Sequence, residues 1–119
     1  MNWSMTMRHW HAEAAPALGA LMEAEDRVLA ATTNPALTAS CDELDAAAWK
    51  SDKWLRENPC PDRRFGRLFD ELIRACVGIQ AILLSNLLAD DAYKARAARM
   101  LRNRLAAAGK ARTELRQLI

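Results

Sequence analysis

Three cysteines and two histidines are the side chains of this chain best suited to hold a metal or attack a substrate. His9 and His11 lie near the N-terminus, and Cys60 lies in the segment Asn58-Pro59-Cys60-Pro61-Asp62. With Glu13 or Asp62 they could approach a metal, but a zinc site needs three or four converging ligands. His9 and His11 are two residues apart, so on a helix they point to different faces. The paired Glu-x-x-His motifs of di-iron bundles do not occur. No metal and no cofactor is assigned. Nucleophilic chemistry fares no better, because no histidine is fixed beside Cys60 and no serine sits in an elbow motif. The acidic pairs Asp42/Glu43 and Asp70/Glu71 are adjacent and diverge on a helix. No catalytic residue is assigned, and the reading leans away from an enzyme.

The elements that would position these residues are helical. Hydrophobic residues make up 51% of the chain and charged residues 27%, with only four Gly and four Pro among 119 residues. That composition suits one globular, Ala- and Leu-rich helical domain over residues 1–119. Apolar positions at Trp3, Met7, Trp10, Ala14, Ala17, Leu21, Ala24, Val28 and Ala31 step by three and four, the seam of a bundle helix. The seam runs through Pro16, which predicts one long helix kinked there. Asn34-Pro35 supplies a cap and a first-turn proline for a second helix with Leu37, Cys41, Leu44, Ala48 and Leu55 inward.

Pro59 and Pro61 then force a corner. A third helix carries Phe65, Leu68, Phe69, Leu72, Cys76, Ile79, Leu83 and Leu87 inward. Its second half is apolar nearly all round, as in a deeply buried helix or one that meets a second subunit. Asp90-Asp91 suit the start of a fourth helix, with Tyr93, Ala97, Met100, Leu101, Leu105, Ala108, Leu115 and Ile119 inward. The boundaries fall near 3–32, 35–57, 62–88 and 91–118. Four helices of similar length with short connections predict an all-α, antiparallel up-down-up-down four-helix bundle. A three-helix core with a detached first helix is the alternative.

In an antiparallel hairpin, residues equidistant from the corner share a height. Cys41 and Cys76 are symmetric about the bond between Asn58 and Pro59, at the corner, and both lie on inward stripes. They are disulfide candidates if their Cα atoms come within ~7 Å. Two free buried thiols acting as small hydrophobes are the competing reading. Cys60 is left over at the corner, exposed and reactive. Asn34-Pro35-Ala36-Leu37 leading to Cys41 and Leu44, the Pro59/Pro61-Asp62 corner and Ala75-Cys76-Val77-Gly78 together resemble small Ala-rich helical proteins of actinobacteria. The resemblance covers roughly residues 17–85. It implies a helical bundle and a Cys41–Cys76 bridge, and it carries no catalytic residue. Many proteins of that group are exported or lipid-anchored, whereas no export signal or membrane span is visible in this chain. A cytoplasmic location is therefore the default expectation.

Surface positions point to binding. The last thirty residues carry eight basic and three acidic side chains, against nine and twelve in residues 1–89. Arg96, Arg99, Arg102 and Lys110 make that helix a candidate for nucleic acid or an acidic ligand. They spread around the helix without interleaved aromatics, so a solvated helix complementing acidic neighbours competes with this. Arg104 falls within the apolar stripe and needs a partner, with Glu71 or Glu23 favoured by height. Trp49 points away from the Leu44 core direction, on a side shared with Asp45, Asp52, Lys53 and Arg56. With Arg56, Ile82 and Leu84 it forms an interaction candidate. The first expectation is a non-catalytic interaction protein that binds another protein or itself as a homodimer. Nucleic-acid binding is the second, and a small-molecule carrier using the Met and Trp residues of the first helix is the third.

Overall fold

The computed structural model describes residues 3–88 and 90–119, with side chains placed outside 84–88. Five helices follow one another: α1 Met5–Ala30, α2 Asn34–Glu57, α3 Arg63–Cys76, α4 Ile79–Leu88 and α5 Asp91–Leu118. They form four rods, because α3 and α4 together occupy the place of one long helix. The starts are set by local chemistry. Ser4, Thr33, Asp62 and Asp90 each accept from the backbone N–H three residues on, at 3.1, 3.2, 2.8 and 2.9 Å. The second cap is thus Thr33, one residue before the expected Asn34. Pro35 follows it in the first turn, where its missing donor costs nothing. α1 continues through Pro16, which lies on its exposed face.

The main departure is the break between α3 and α4, where one helix over 62–88 was expected. Val77 is extended, and Gly78 has φ +82°, a left-handed conformation that glycine adopts without a Cβ clash. The chain then re-enters a helix at Ile79. No proline marks this point, and the apolar stripe runs on through it.

Consecutive rods run in opposite directions. Trp10, early in α1, donates from Nε1 to the Asn58 carbonyl at the end of α2 (2.8 Å), while Arg27, late in α1, pairs with Glu43, early in α2 (2.7 Å). Asp52 of α2 meets Arg74 of α3, and Asp45 meets the start of α4. Arg104 of α5 reaches the end of α3, and Tyr93 shares a hollow with Ile82 of α4. The helical bundle is therefore present, measuring 53 × 23 × 19 Å. Phe65, Leu68, Phe69, Leu72, Ile73, Leu21, Leu44, Ile79 and Leu115 fill its core. Trp10 closes one end against Trp54, Phe65 and Phe69. No helix among the described residues is long and apolar enough to cross a membrane.

Candidate functional site

The break has a built environment. Ending α3 frees backbone carbonyls, and starting α4 frees backbone N–H groups. Arg104 of α5 donates from Nη1 to the carbonyls of Arg74 (2.8 Å) and Val77 (2.9 Å), with Ala75 at 3.4 Å. From the other side, Asp45 of α2 accepts from the N–H of Gly78 (3.1 Å) and of Gln80 (3.3 Å). A cation thus sits at a helix C-terminus and an anion at a helix N-terminus, both matched to the helix dipoles. Residues on two neighbouring helices hold the junction and so set the direction of α4.

That direction opens a groove of about 370 Å³ between α4 and the first half of α5, lined by Ala81, Ile82, Tyr93, Arg96, Ala97 and Met100. Ala97 is buried and forms the floor. Tyr93 and Met100 were expected inward, yet they are 45% and 48% exposed. Ala97, Ala108 and Leu115 are buried as expected, Ala111 and Leu118 are buried as well, and Leu101 and Leu105 are half-buried, whereas Ile119, also expected inward, is exposed at the end of the chain's last helix. Tyr93 and Met100 are seven residues apart, so they stand almost in line two turns apart. Arg96 lies over the Tyr93 ring at 5.9 Å, within cation–π range. Among the described residues the other exposed large apolar side chains are Met5, Leu29, Trp49 and Ile119, and none of them lines this groove. A hollow between α1 and α2 is lined by four alanines and Pro16 together with Glu13, Lys50, Ser51 and Trp54, and its one aromatic side chain, Trp54, is half-buried against Trp10. Hollows along α3 are walled by ion pairs, such as Arg74 with Asp70 at 3.4 Å.

Several expected sites are arranged differently. Arg104 does not pair with Glu71 or Glu23, because the carbonyls of the break take its guanidinium. Glu71 instead faces Arg67 at 3.8 Å on the surface. Cys41 and Cys76 are free thiols, both fully buried. Equal height brought both into one core without a bond. Burial pushes both thiols up, Cys76 to about 12, which keeps them neutral like small hydrophobes. Cys60 is half-buried against Met7, with Sγ 3.8 Å from Sδ, and burial raises its pKa too. It is therefore not the exposed, reactive thiol expected. His11 packs on Trp3 and Phe65, and His9 points out to Glu13 at 3.2 Å. Among the described residues no three His, Cys, Asp or Glu side chains converge as a metal site.

Trp49 is 53% exposed, as its off-core direction predicts. Its supposed surface companions Asp45 and Asp52 are buried, because they serve the α4 start and Arg74. Arg56 is exposed and pairs with Asp52 at 2.9 Å. Ile82 joins the groove wall, and the Leu84 side chain lies outside the described residues. Arg96, Arg99, Arg102 and Lys110 are all exposed.

A third buried carboxylate, after Asp45 and Asp52, also went unforeseen. Glu25 of α1 is 1% exposed, with Oε2 3.5 Å from Arg112 of α5, an ion pair too long for a hydrogen bond. Arg112 spends its hydrogen bonds on Asp26 (2.6 and 3.0 Å) and the Met22 carbonyl (3.2 Å). Burial therefore raises the Glu25 pKa, while the Arg112 hydrogen bond lowers that of Asp26. Position 25 follows Ala24 on the seam, a signal the three-four spacing alone does not isolate. No family model, curated protein or solved structure matches this chain.

Proposed function

We propose that this chain is a non-catalytic docking protein that binds another polypeptide through the groove between α4 and α5. One observation carries the reading: Tyr93 and Met100 stand exposed two turns apart in line along α5, with Ala97 between them as the floor and Ile82 opposite. Aromatic and methionine side chains at the mouth of an apolar groove are the usual anchors of helix-in-groove recognition. The buried and half-buried polar groups of the molecule support the same reading. Asp45, Asp52 and Arg104 are spent on internal structure, and burial makes the cysteines poor nucleophiles.

Photo-crosslinking tests it. A benzophenone amino acid at position 100 should give a discrete adduct in extract of the native organism, and one at position 29 should not. Excess unlabelled wild-type protein should compete for that adduct, and Met100→Glu should not. The same adducts from both positions would count against a docking groove. Polyanion binding through α5 is a second reading, favoured by the exposure of Arg99, Arg102 and Lys110. A steep salt dependence of binding to random duplex DNA would support it over the first.

A further inference from the structure

We propose that the occupant of the α4/α5 groove is an amphipathic helix of a different protein, with an apolar stripe flanked on one side by carboxylates. This rests on the docking reading above and adds the chemistry of the partner. The two walls of the groove differ. The α4 wall belongs to the segment Ile79–Leu88, which contains no charged residue. The α5 wall belongs to a segment with seven basic and no acidic side chains between Asp91 and Glu114.

Two of those seven, Arg104 and Arg112, are spent inside the bundle. Arg96 lines the groove, and Arg99 follows it one turn on; both are exposed, and among the described residues neither pairs with a carboxylate. They lie ~4.5 Å apart along the axis, the spacing of carboxylates at i and i+3 on a partner helix. Tyr93 to Met100 spans ~10 Å, room for apolar anchors at i, i+3 or i+4, and i+7. Ala81 and Ala97 leave depth for those anchors.

Charge also argues against a second copy as the occupant. A two-fold contact through this face pairs the α4/α5 surface with itself. Neither Ile79–Leu88 nor the stretch between Asp91 and Glu114 holds a carboxylate, so Arg96 and Arg99 would meet no opposite charge there, and like charges brought together suppress association. An acidic flank reverses the sign of that interaction and speeds encounter at low salt.

The test uses three fluorescent, stapled helical peptides with one leucine stripe and a Glu, Gln or Lys flank, titrated against the full chain by polarisation. The Glu peptide should bind ~10-fold or more tighter than the Lys peptide at low salt, with the gap narrowing toward ~0.5 M NaCl. Arg96→Glu with Arg99→Glu should invert the order. Met100→Glu should abolish binding of all three while helicity and melting temperature are kept. Backbone chemical-shift mapping on the unaltered chain should place the Glu peptide on Ala81, Ile82 and Ala97, which needs no variant to fold. Equal binding of the three peptides, still lost in Met100→Glu, would overturn the acidic partner and leave the docking groove standing. No binding of any peptide up to ~1 mM would overturn both. A dimer in light scattering that Met100→Glu dissociates would put a second copy in the groove and overturn the present assignment.

Discussion

Replacing Arg104 with alanine tests the reading of the helix break most directly. The guanidinium makes two good hydrogen bonds, at 2.8 and 2.9 Å, to carbonyls that the end of α3 leaves without helical partners. Bonds to a charged group contribute ~1.5–3 kcal/mol when well buried. Arg104 is only half-buried, and water can reach part of the vacated site. About 1–1.5 kcal/mol per bond is the better figure, so Arg104→Ala should cost ~2–3 kcal/mol. For a chain of this size that lowers the melting temperature by ~8–12 °C. Arg104→Lys should recover about half, since both bonds come from the one nitrogen Nη1 and an ammonium also carries three N–H donors, but the shorter lysine stem does not bring its nitrogen to the place of Nη1.

Glu71→Ala is the matched control. Its exposed pair with Arg67, at 3.8 Å, is worth ~0.3–0.5 kcal/mol. The assay is urea unfolding of the wild type, both single variants and the double variant, with amide exchange followed across 76–83. Exchange should accelerate at the break in Arg104→Ala and not in Glu71→Ala. A cost under ~0.5 kcal/mol for Arg104→Ala, or a coupling above ~1 kcal/mol between residues 104 and 71, would refute the capping argument and restore the ion pair.

Asp45→Ala should cost ~1–2 kcal/mol in the same assay, as removal of a helix N-cap does, with Asp45→Asn milder. Gly78→Ala should cost ~1–2 kcal/mol, because the φ of +82° is unfavourable for any residue with a Cβ, although space is open around it. Glu25→Gln should be neutral or stabilising near pH 7, because it removes a buried carboxylate whose pKa burial raises. With the folded pKa above the unfolded one, the stability from Glu25 is fully present below its unfolded value. It is lost as pH rises through the folded value, so the advantage of Glu25→Gln should shrink on acidification toward pH ~4. A loss above ~1 kcal/mol at pH 7 would contradict this. Mass spectrometry of denatured, non-reduced protein should find three alkylatable thiols, and native alkylation should be slow; a mass two hydrogens lower would show a bridge.

The rods were legible because their signals are local. Pro59 and Pro61 stop a helix wherever they stand, and the apolar seam Met7, Trp10, Ala14, Leu21, Ala24 and Val28 is buried as its spacing implies, with Leu18 in the core where Ala17 was expected. The hairpins also fix height: the turn between α1 and α2 sets Met7 and Trp10 beside Cys60 and Asn58. What failed depended on partners far along the chain. Asp45 and Asp52 look like surface acids until the amides of Gly78 and Gln80 and the guanidinium of Arg74 are brought to them. The break at Gly78 lies in a stretch apolar on nearly every face, where no period can register a change of direction. Tyr93 and Met100 share the angular stripe of Leu101 and Leu105. Only the position of α4 decides which of them is covered.

That dependence ties the break to the groove. A ten-residue helix is too short to hold itself in water, so α4 owes its place to packing and to the two charged clamps. An unbroken third helix would carry residues 79–88 straight on from α3, following the stripe that the sequence pattern implies. With the chain bent at Gly78, α4 meets α5 over Ala97 and leaves Tyr93 and Met100 uncovered. Asp45 and Arg104 lie outside the groove, yet they hold the junction from which α4 starts. If the groove is the docking surface, Asp45→Asn should weaken the Glu-flanked peptide by ~3-fold or more at temperatures where the variant is fully folded, while changing no residue that touches the peptide. Unchanged affinity in that variant would mean that α4 is held by apolar packing alone, and the clamp would then be a device of stability without influence on binding.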